Sequence, residues 1–188
     1  SAGTYSFSVT DNNGCVNTAT TSVVVNPLPV IVVNNPAVCI GDNINLSSNG
    51  GVSYDWSGPL GFTDNTQNPI INNATLGMSG QYTVTVTSAQ GCSNTAVANV
   101  TVHPIPNPGI NSNSPVCVNG TLNLNGSGGV VYNWSGPNGF TSNQQNPNIN
   151  NVGLPAAGVY SLLVSSGTCT ASTTATVIIN PLPQMAFT

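Results

Sequence analysis

The sequence predicts an all-β protein built as a tandem array of one small β-sandwich type. Two observations carry this: a long-period self-similarity, and short stretches of alternating apolar and polar residues broken by turn signals every 8–12 residues. The segment Tyr54-Asp55-Trp56-Ser57-Gly58-Pro59-Leu60-Gly61-Phe62-Thr63 returns as Tyr132-Asn133-Trp134-Ser135-Gly136-Pro137-Asn138-Gly139-Phe140-Thr141, a displacement of 78 residues. Tyr5, Tyr82 and Tyr160 each follow a glycine two positions earlier. Pro27-Leu28-Pro29, Pro104-Ile105-Pro106 and Pro181-Leu182-Pro183 recur every 77 residues. A fixed period of this kind sets the architecture before any local reading does. It divides the 188 residues into the C-terminal hairpin of an incomplete repeat (1–29), two whole repeats (30–106 and 107–183) and the start of another (184–188).

The elements follow in order. Tyr5, Phe7 and Val9 alternate with Ser6, Ser8 and Thr10, Asp11-Asn12-Asn13-Gly14 turns the chain, and Thr18 to Val25 returns. Period-2 patterning across a tight turn is a hairpin. Asn26-Pro27-Leu28-Pro29 ends the repeat as a short, stiff joint, since Pro-x-Pro favours extended backbone. In the first whole repeat, Val30–Val33 reads as a strand, Cys39-Ile40-Gly41-Asp42 as a turn and Ile44–Ser47 as a second strand. Val52–Trp56 is the third, with Val52, Tyr54 and Trp56 facing inward. Gly58-Pro59-Leu60-Gly61 turns, and Phe62 plugs the core behind it. Pro69-Ile70-Ile71 and Thr75–Met78 supply short strands. Tyr82–Thr87 and Ala96–Val102 repeat the opening hairpin. Six or seven short strands of this spacing make a sandwich, with Trp56, Trp134, Tyr82 and Tyr160 as core anchors.

Composition removes whole classes of function. The chain has no Lys or Arg and only four acidic residues, Asp11, Asp42, Asp55 and Asp64. Nucleic-acid binding needs cations against phosphates, and attraction to anionic lipid needs the same; neither partner is expected, nor is direct membrane insertion. Lys–Asn isopeptide staples are chemically impossible, and trypsin-like proteases have no cleavage site. Solubility rests on Asn, Thr and Ser. A repeat of about 77 residues buries roughly 60–65% of its unfolded surface and needs a staple or a neighbour.

Candidate sites are few. His103 has Asn26 and Asn180 as counterparts and reads as a strand-end residue. One His and no CxxC spacing make no zinc site, and the scattered aspartates near Asp42 or Asp64 lack the several acidic oxygens calcium wants. No nucleophile has a base, so no enzyme and no cofactor are expected. The stripe Thr83, Thr85, Thr87 is not kept at Ser161, Leu163, Ser165 and reads as ordinary strand threonine. Triplets such as Asn73-Ala74-Thr75 match the N-glycosylation pattern, as chance provides in a chain this rich in Asn and Thr.

The residues also carry a resemblance. Glycines at the turn into the second strand (Gly41, Gly120), a tryptophan on the third (Trp56, Trp134) and Gly-x-Tyr opening the sixth are similar to the immunoglobulin fold with its tyrosine corner. Val38-Cys39-Ile40-Gly41 with Val116-Cys117-Val118-Asn119-Gly120, the Tyr-x-Trp-Ser-Gly-Pro-x-Gly-Phe segment, Gly-x-Tyr and Asn-Pro-Leu-Pro, taken in order, resemble the Ig-like repeats of very large surface proteins of Bacteroidota. These include gliding-motility adhesins exported by the type IX secretion system. The resemblance implies an extracellular place on a bacterial cell surface and a structural role in attachment or gliding, with neighbouring repeats as partners. A glycan-binding module contacting surface glycans through loops 58–68 and 136–146, and a small self-assembling filament subunit, are the alternatives. Unlike antibody domains, the chain has Phe7, Val84 and Leu162 where the inter-sheet cysteine would stand.

Five cysteines in repeating contexts point to an oxidising compartment. Two pairings fit: within repeats, Cys39 with Cys92 and Cys117 with Cys169, or across repeats, Cys39 with Cys169. In the immunoglobulin topology the two turns of one repeat lie at opposite poles, roughly 17–20 Å apart along a strand, whereas a disulfide needs Cα atoms within about 7 Å. The cross-repeat staple is therefore preferred. Either closure stabilises by roughly 4–5 kcal/mol in the chain-entropy model.

Overall fold

The computed structural model describes residues 1–185. Its strands are β1 (Gly3–Thr10), β2 (Val16–Val23), β3 (Ala37–Cys39), β4 (Ile44–Asn45), β5 (Ser53–Ser57), β6 (Thr63–Asp64), β7 (Ile70–Ile71), β8 (Gly80–Thr87) and β9 (Ser93–His103). They continue with β10 (Gly109–Ser112), β11 (Val116–Cys117), β12 (Leu122–Ser127), β13 (Val131–Ser135), β14 (Thr141–Ser142), β15 (Asn148–Ile149), β16 (Gly158–Ser166), β17 (Cys169–Val177) and β18 (Ile179–Asn180). The chain is all-β, with immunoglobulin-like sheets. By its internal contacts it divides into two compact units, and the division runs through the span 30–106 that the sequence period marks as one repeat.

The first unit comprises Ser1–Asn34, Leu46–Pro69 and Gln81–Ala98. It holds the antiparallel β1–β2 hairpin, in register from Gly3↔Val23 to Thr10↔Val16. The hairpin turn is closed by Asp11, whose Oδ1 accepts the amides of Asn13 and Cys15. β5 pairs antiparallel with β8 and with β6. Tyr54, Trp56, Tyr82, Val84 and Val86 are buried along these strands, as alternation demands. Val52, expected inside, is exposed: it precedes β5, and its amide is held by Thr87 O beyond the covered stretch. Val30–Val33, expected to be a strand, forms no ladder; only Val33 bridges Ser48. Asparagine side chains take the places of rungs there, Asn49 Oδ1 accepting Val32 N and Asn34 Oδ1 accepting Ser47 N.

The second unit comprises Asn35–Asn45, Ile70–Gly80 and Asn99 onward. Its sandwich sets β10–β12–β15 against β14–β13–β16–β17. Leu122, Leu124, Tyr132, Trp134, Val152, Tyr160, Leu162, Val164, Val177 and Ile179 form its core. β11 runs parallel to β18, so the edge is closed by a short strand on the end of the last long one. β3 runs parallel to the end of β9 in the same way, and β4 pairs with β7. The segment Thr75–Met78, expected as a strand, is a 3-10 turn at Leu76–Met78, fixed by Met78 N to Thr75 O and Ser79 N to Leu76 O. Leu154–Ala156 makes the same turn one repeat later.

The repeated Trp-Ser-Gly-Pro motif has a packing cause in both units. A Cβ at Gly58 would overlap the ring of Tyr82, and one at Gly136 the ring of Tyr160. The 3-10 turn that follows puts Leu60 and Asn138 in the left-handed region (φ 58 and 55). It returns Phe62 and Phe140 to meet those tyrosine rings edge-on, with centroids 5.4 and 5.6 Å apart. Both phenylalanines are half-buried. Tyr160 OH donates to Ala156 O at 3.0 Å, the backward bond of a tyrosine corner.

Candidate functional site: a disulfide joining two repeats

Cys39 ends β3, where pairing with His103 and the bond from Ile40 N to His103 O (3.0 Å) hold it against the last residue of β9. The turn behind it is tied from several sides. Cys39 N donates to Asp42 Oδ2, Asp42 N to Cys39 O, Gly41 N to Ala74 O and Ala74 N to Asp42 O. Gly41 adopts φ 89, a conformation that glycine reaches without a Cβ clash. The residue two after the cysteine is left-handed in both repeats, Gly41 here and Asn119 (φ 68) after Cys117.

Cys169 opens β17 across from Ser166 and is buried. Gly167, at φ +62, brings the tip of this hairpin to the His103 imidazole; a Cβ there would stand 3.2 Å from the ring. Cys169 Sγ lies 3.8 Å from His103 O, and Thr168 Oγ1 lies 4.0 Å from the sulfur of Cys39. Cys39 and Cys169 are disulfide-bonded, with Cα atoms 5.7 Å apart and a sequence separation of 130. All of these residues belong to the second unit. The within-repeat pairs are not formed: Cys92 and Cys117 are free, as is Cys15.

The bond joins the turn of one repeat to the hairpin tip of the next. His103 had offered only the reading of a strand-end residue; the structure makes it the floor on which Gly167 and Cys169 rest. The alternating Val38-Cys39 pattern gave no hint of a parallel partner, because parallel pairing leaves no turn signal.

The remaining candidates are engaged otherwise. Trp56 and Trp134 are buried, and Trp134 Nε1 donates to Gln144 O at 2.9 Å. Thr83, Thr85 and Thr87 lie opposite Ser57, Asp55 and Ser53 of β5. A shallow depression is lined by Asp55, Thr63, Asp64 and Asn65. There Asp64 Oδ1 accepts both Thr66 Oγ1 (2.6 Å) and Thr66 N (2.7 Å). Chiefly the hydroxyl and then the amide hold this carboxyl below the ordinary 3.8. Among the described residues no three of His, Cys, Asp and Glu converge as metal ligands, and no helix is long and apolar enough to cross a membrane.

No protein-family model and no curated protein sequence matches the chain. Solved structures do. Drosophila OTK, extracellular domains 3–5, is similar over 95% of this chain and 71% of that one, with TM-score 0.60 and 13% identity. Murine CEACAM1b is similar over 81% and 100%, with TM-score 0.53 and 12% identity. The N-terminal eight Ig domains of Down Syndrome Cell Adhesion Molecule are similar over 96% of this chain and 27% of that one, with TM-score 0.57 and 17% identity. These likenesses establish the immunoglobulin fold.

Proposed function

We propose that this immunoglobulin-fold chain is a load-bearing stretch of an extracellular array on a bacterial surface, stapled repeat to repeat for attachment or gliding. The Cys39–Cys169 bond carries the reading. A bond between two repeats adds nothing to a single-domain binding site, but it shields the chain between its ends, a sequence separation of 130, from tension. Supporting observations are the absence of every Lys and Arg, the Pro-x-Pro joints and the resemblance of the sequence motifs to those of bacterial surface repeats. The repeat boundaries 1–29, 30–106, 107–183 and 184–188 belong to this proposal. So do the neighbouring repeats as partners. No enzymatic step enters it.

Pulling the oxidised chain from its two ends tests the reading. The segment between Cys39 and Cys169 is expected to stay locked until reductant is added. It should then release roughly 430–470 Å of extended chain. Equal extension with and without reductant overturns the load-bearing role.

The glycan-binding reading draws less support. Trp56 and Trp134 are buried, and the rings of Phe62 and Phe140 are turned onto tyrosines, so neither loop offers an open aromatic platform among the described residues. The self-assembling subunit is separated from a covalent array by the reduced, denatured mass of the native polypeptide. A mass near 19.0 kDa would replace the array with a filament of subunits.

A further inference from the structure

The environment that holds Cys39 is built a second time around Cys117. β11 pairs with β18 in parallel, Cys117 opposite Asn180, as Cys39 stands opposite His103. Val118 N donates to Asn180 O at 2.9 Å, as Ile40 N does to His103 O. Gly120 N donates to Cys117 O, and Asn119 N and Val152 N close the turn as Gly41 N and Ala74 N do earlier. Cys117 is exposed and unbonded.

The complementary half recurs at Cys92. It sits just inside a hairpin tip closed by Ser88, which accepts Gly91 N on its carbonyl and Cys92 N on its hydroxyl. Its thiol donates to Asn26 O at 3.8 Å, and Asn26 is the repeat counterpart of His103, whose carbonyl lies 3.8 Å from the sulfur of Cys169. One half-site of each kind is therefore complete and unoccupied by a second sulfur, and the full pair is bonded elsewhere in the same chain.

We infer that Cys117 and Cys92, two of the three free cysteines, are open half-sites of a continuing disulfide series. Cys117 receives a cysteine from the hairpin tip (Gly-Cys or Gly-x-Cys) of a further immunoglobulin-like repeat. Cys92 receives one from a Val-Cys turn of the kind that holds Cys39. The receiving repeat belongs either to the same polypeptide or to a second copy of this chain. Each bond forms by thiolate attack on the disulfide of an extracellular dithiol–disulfide oxidant, giving a mixed disulfide that the second thiolate resolves. The two thiols lose two protons and two electrons, and the oxidant leaves as its dithiol. The inference rests on the extracellular array proposed above and is independent of what that array attaches to.

The test is disulfide mapping of the native protein, alkylated without reductant and cleaved with chymotrypsin or pepsin, since trypsin has no site. The Cys117 peptide is expected to carry a Gly-Cys or Gly-x-Cys hairpin peptide, and the Cys92 peptide a Val-Cys turn peptide, with less than a tenth of either alkylated. Full alkylation of both, a bond between Cys92 and Cys117 of one chain, or a small-thiol adduct on either overturns the inference. Gels run with and without reductant identify the source. An unchanged chain mass places the partner in the same polypeptide, and collapse from multiples of one mass places it in a second copy.

Discussion

Stretches of the chain that correspond through the 77–78-residue sequence period follow one plan but finish it differently on the side of the second strand. In the later repeat β10 forms a four-pair ladder with β12, from Gly109↔Ser127 to Ser112↔Leu124. In the earlier one the same register survives as one bridge, Val33↔Ser48, standing where Ile110↔Gly126 stands later. Asparagine side chains have captured the neighbouring amides. A second contrast lies next to the tryptophan. A Cβ at Gly126 would stand 3.0 Å from Trp134 Cζ2 and 3.1 Å from Leu162 Cδ2, so glycine lets the ring settle and Nε1 reach Gln144 O. Serine occupies the equivalent position 48. There Ser48 Oγ and Trp56 Nε1 are both buried without a hydrogen-bond partner. One extra hydroxyl thus costs the earlier repeat polar satisfaction that the later one keeps, although both place the tryptophan in the core.

The largest test of that contrast removes the rings. Trp134→Ala and Trp56→Ala should each cost about 3–5 kcal/mol, the usual range for emptying a core aromatic site. Trp→Phe should separate them. Trp134→Phe abandons Gln144 O and should cost about 1 kcal/mol more than Trp56→Phe, which gives up no such bond. Hydrogen exchange resolved by repeat measures both, and equal losses for the two Phe variants would remove the asymmetry.

Exchanging the neighbour is the milder test. Gly126→Ser should destabilise the later repeat by about 1–3 kcal/mol through overpacking. Ser48→Ala should stabilise the earlier one by about 1 kcal/mol, because a buried, unpartnered hydroxyl is removed. Loss of stability in Ser48→Ala would mean that the hydroxyl is held.

What the sequence disclosed and what it hid divide along the same physical line. The hairpins, Tyr82 and Tyr160, and Trp56 and Trp134 were legible because alternation and period report burial directly. The β1–β2 hairpin shows the limit of that signal. It is formed as patterned, yet Tyr5, Phe7 and Val9 are exposed, while Tyr160, Leu162 and Val164 are wholly buried. Pattern specifies a face and cannot specify its cover. Val30–Val33 reads as a strand by composition, and only the side chains of Asn34 and Asn49, remote from any propensity, decide that it is not. Thr75–Met78 turns because two local carbonyls outcompete pairing. The Cys39 site was legible as a choice between two pairings, and the parallel edge and the His103 floor that accompany it carry no sequence signal.

The smallest expected effect is a difference in pH response at the turn after β6 and β14. Asp64 Oδ1 accepts Thr66 N and Oγ1, whereas Ser142 Oγ accepts Gln144 N at 3.2 Å in the later repeat. Those bonds favour the carboxylate and lower its pKa below 3.8. Folding therefore gains from Asp64 above the unfolded pKa, and the gain is lost as pH falls through the lower, folded value. Asp64 is only partly covered, so solvent screens the effect and the readout is local. In a proton–nitrogen titration the Thr66 amide should shift with a midpoint under 3.8, and Gln144 should not respond. Asp64→Asn should abolish the Thr66 transition while keeping an acceptor in place. A Thr66 midpoint at or above 3.8 would mean that the turn gives the carboxylate no preference, and a matching shift at Gln144 would mean that the two turns are sensing something other than Asp64.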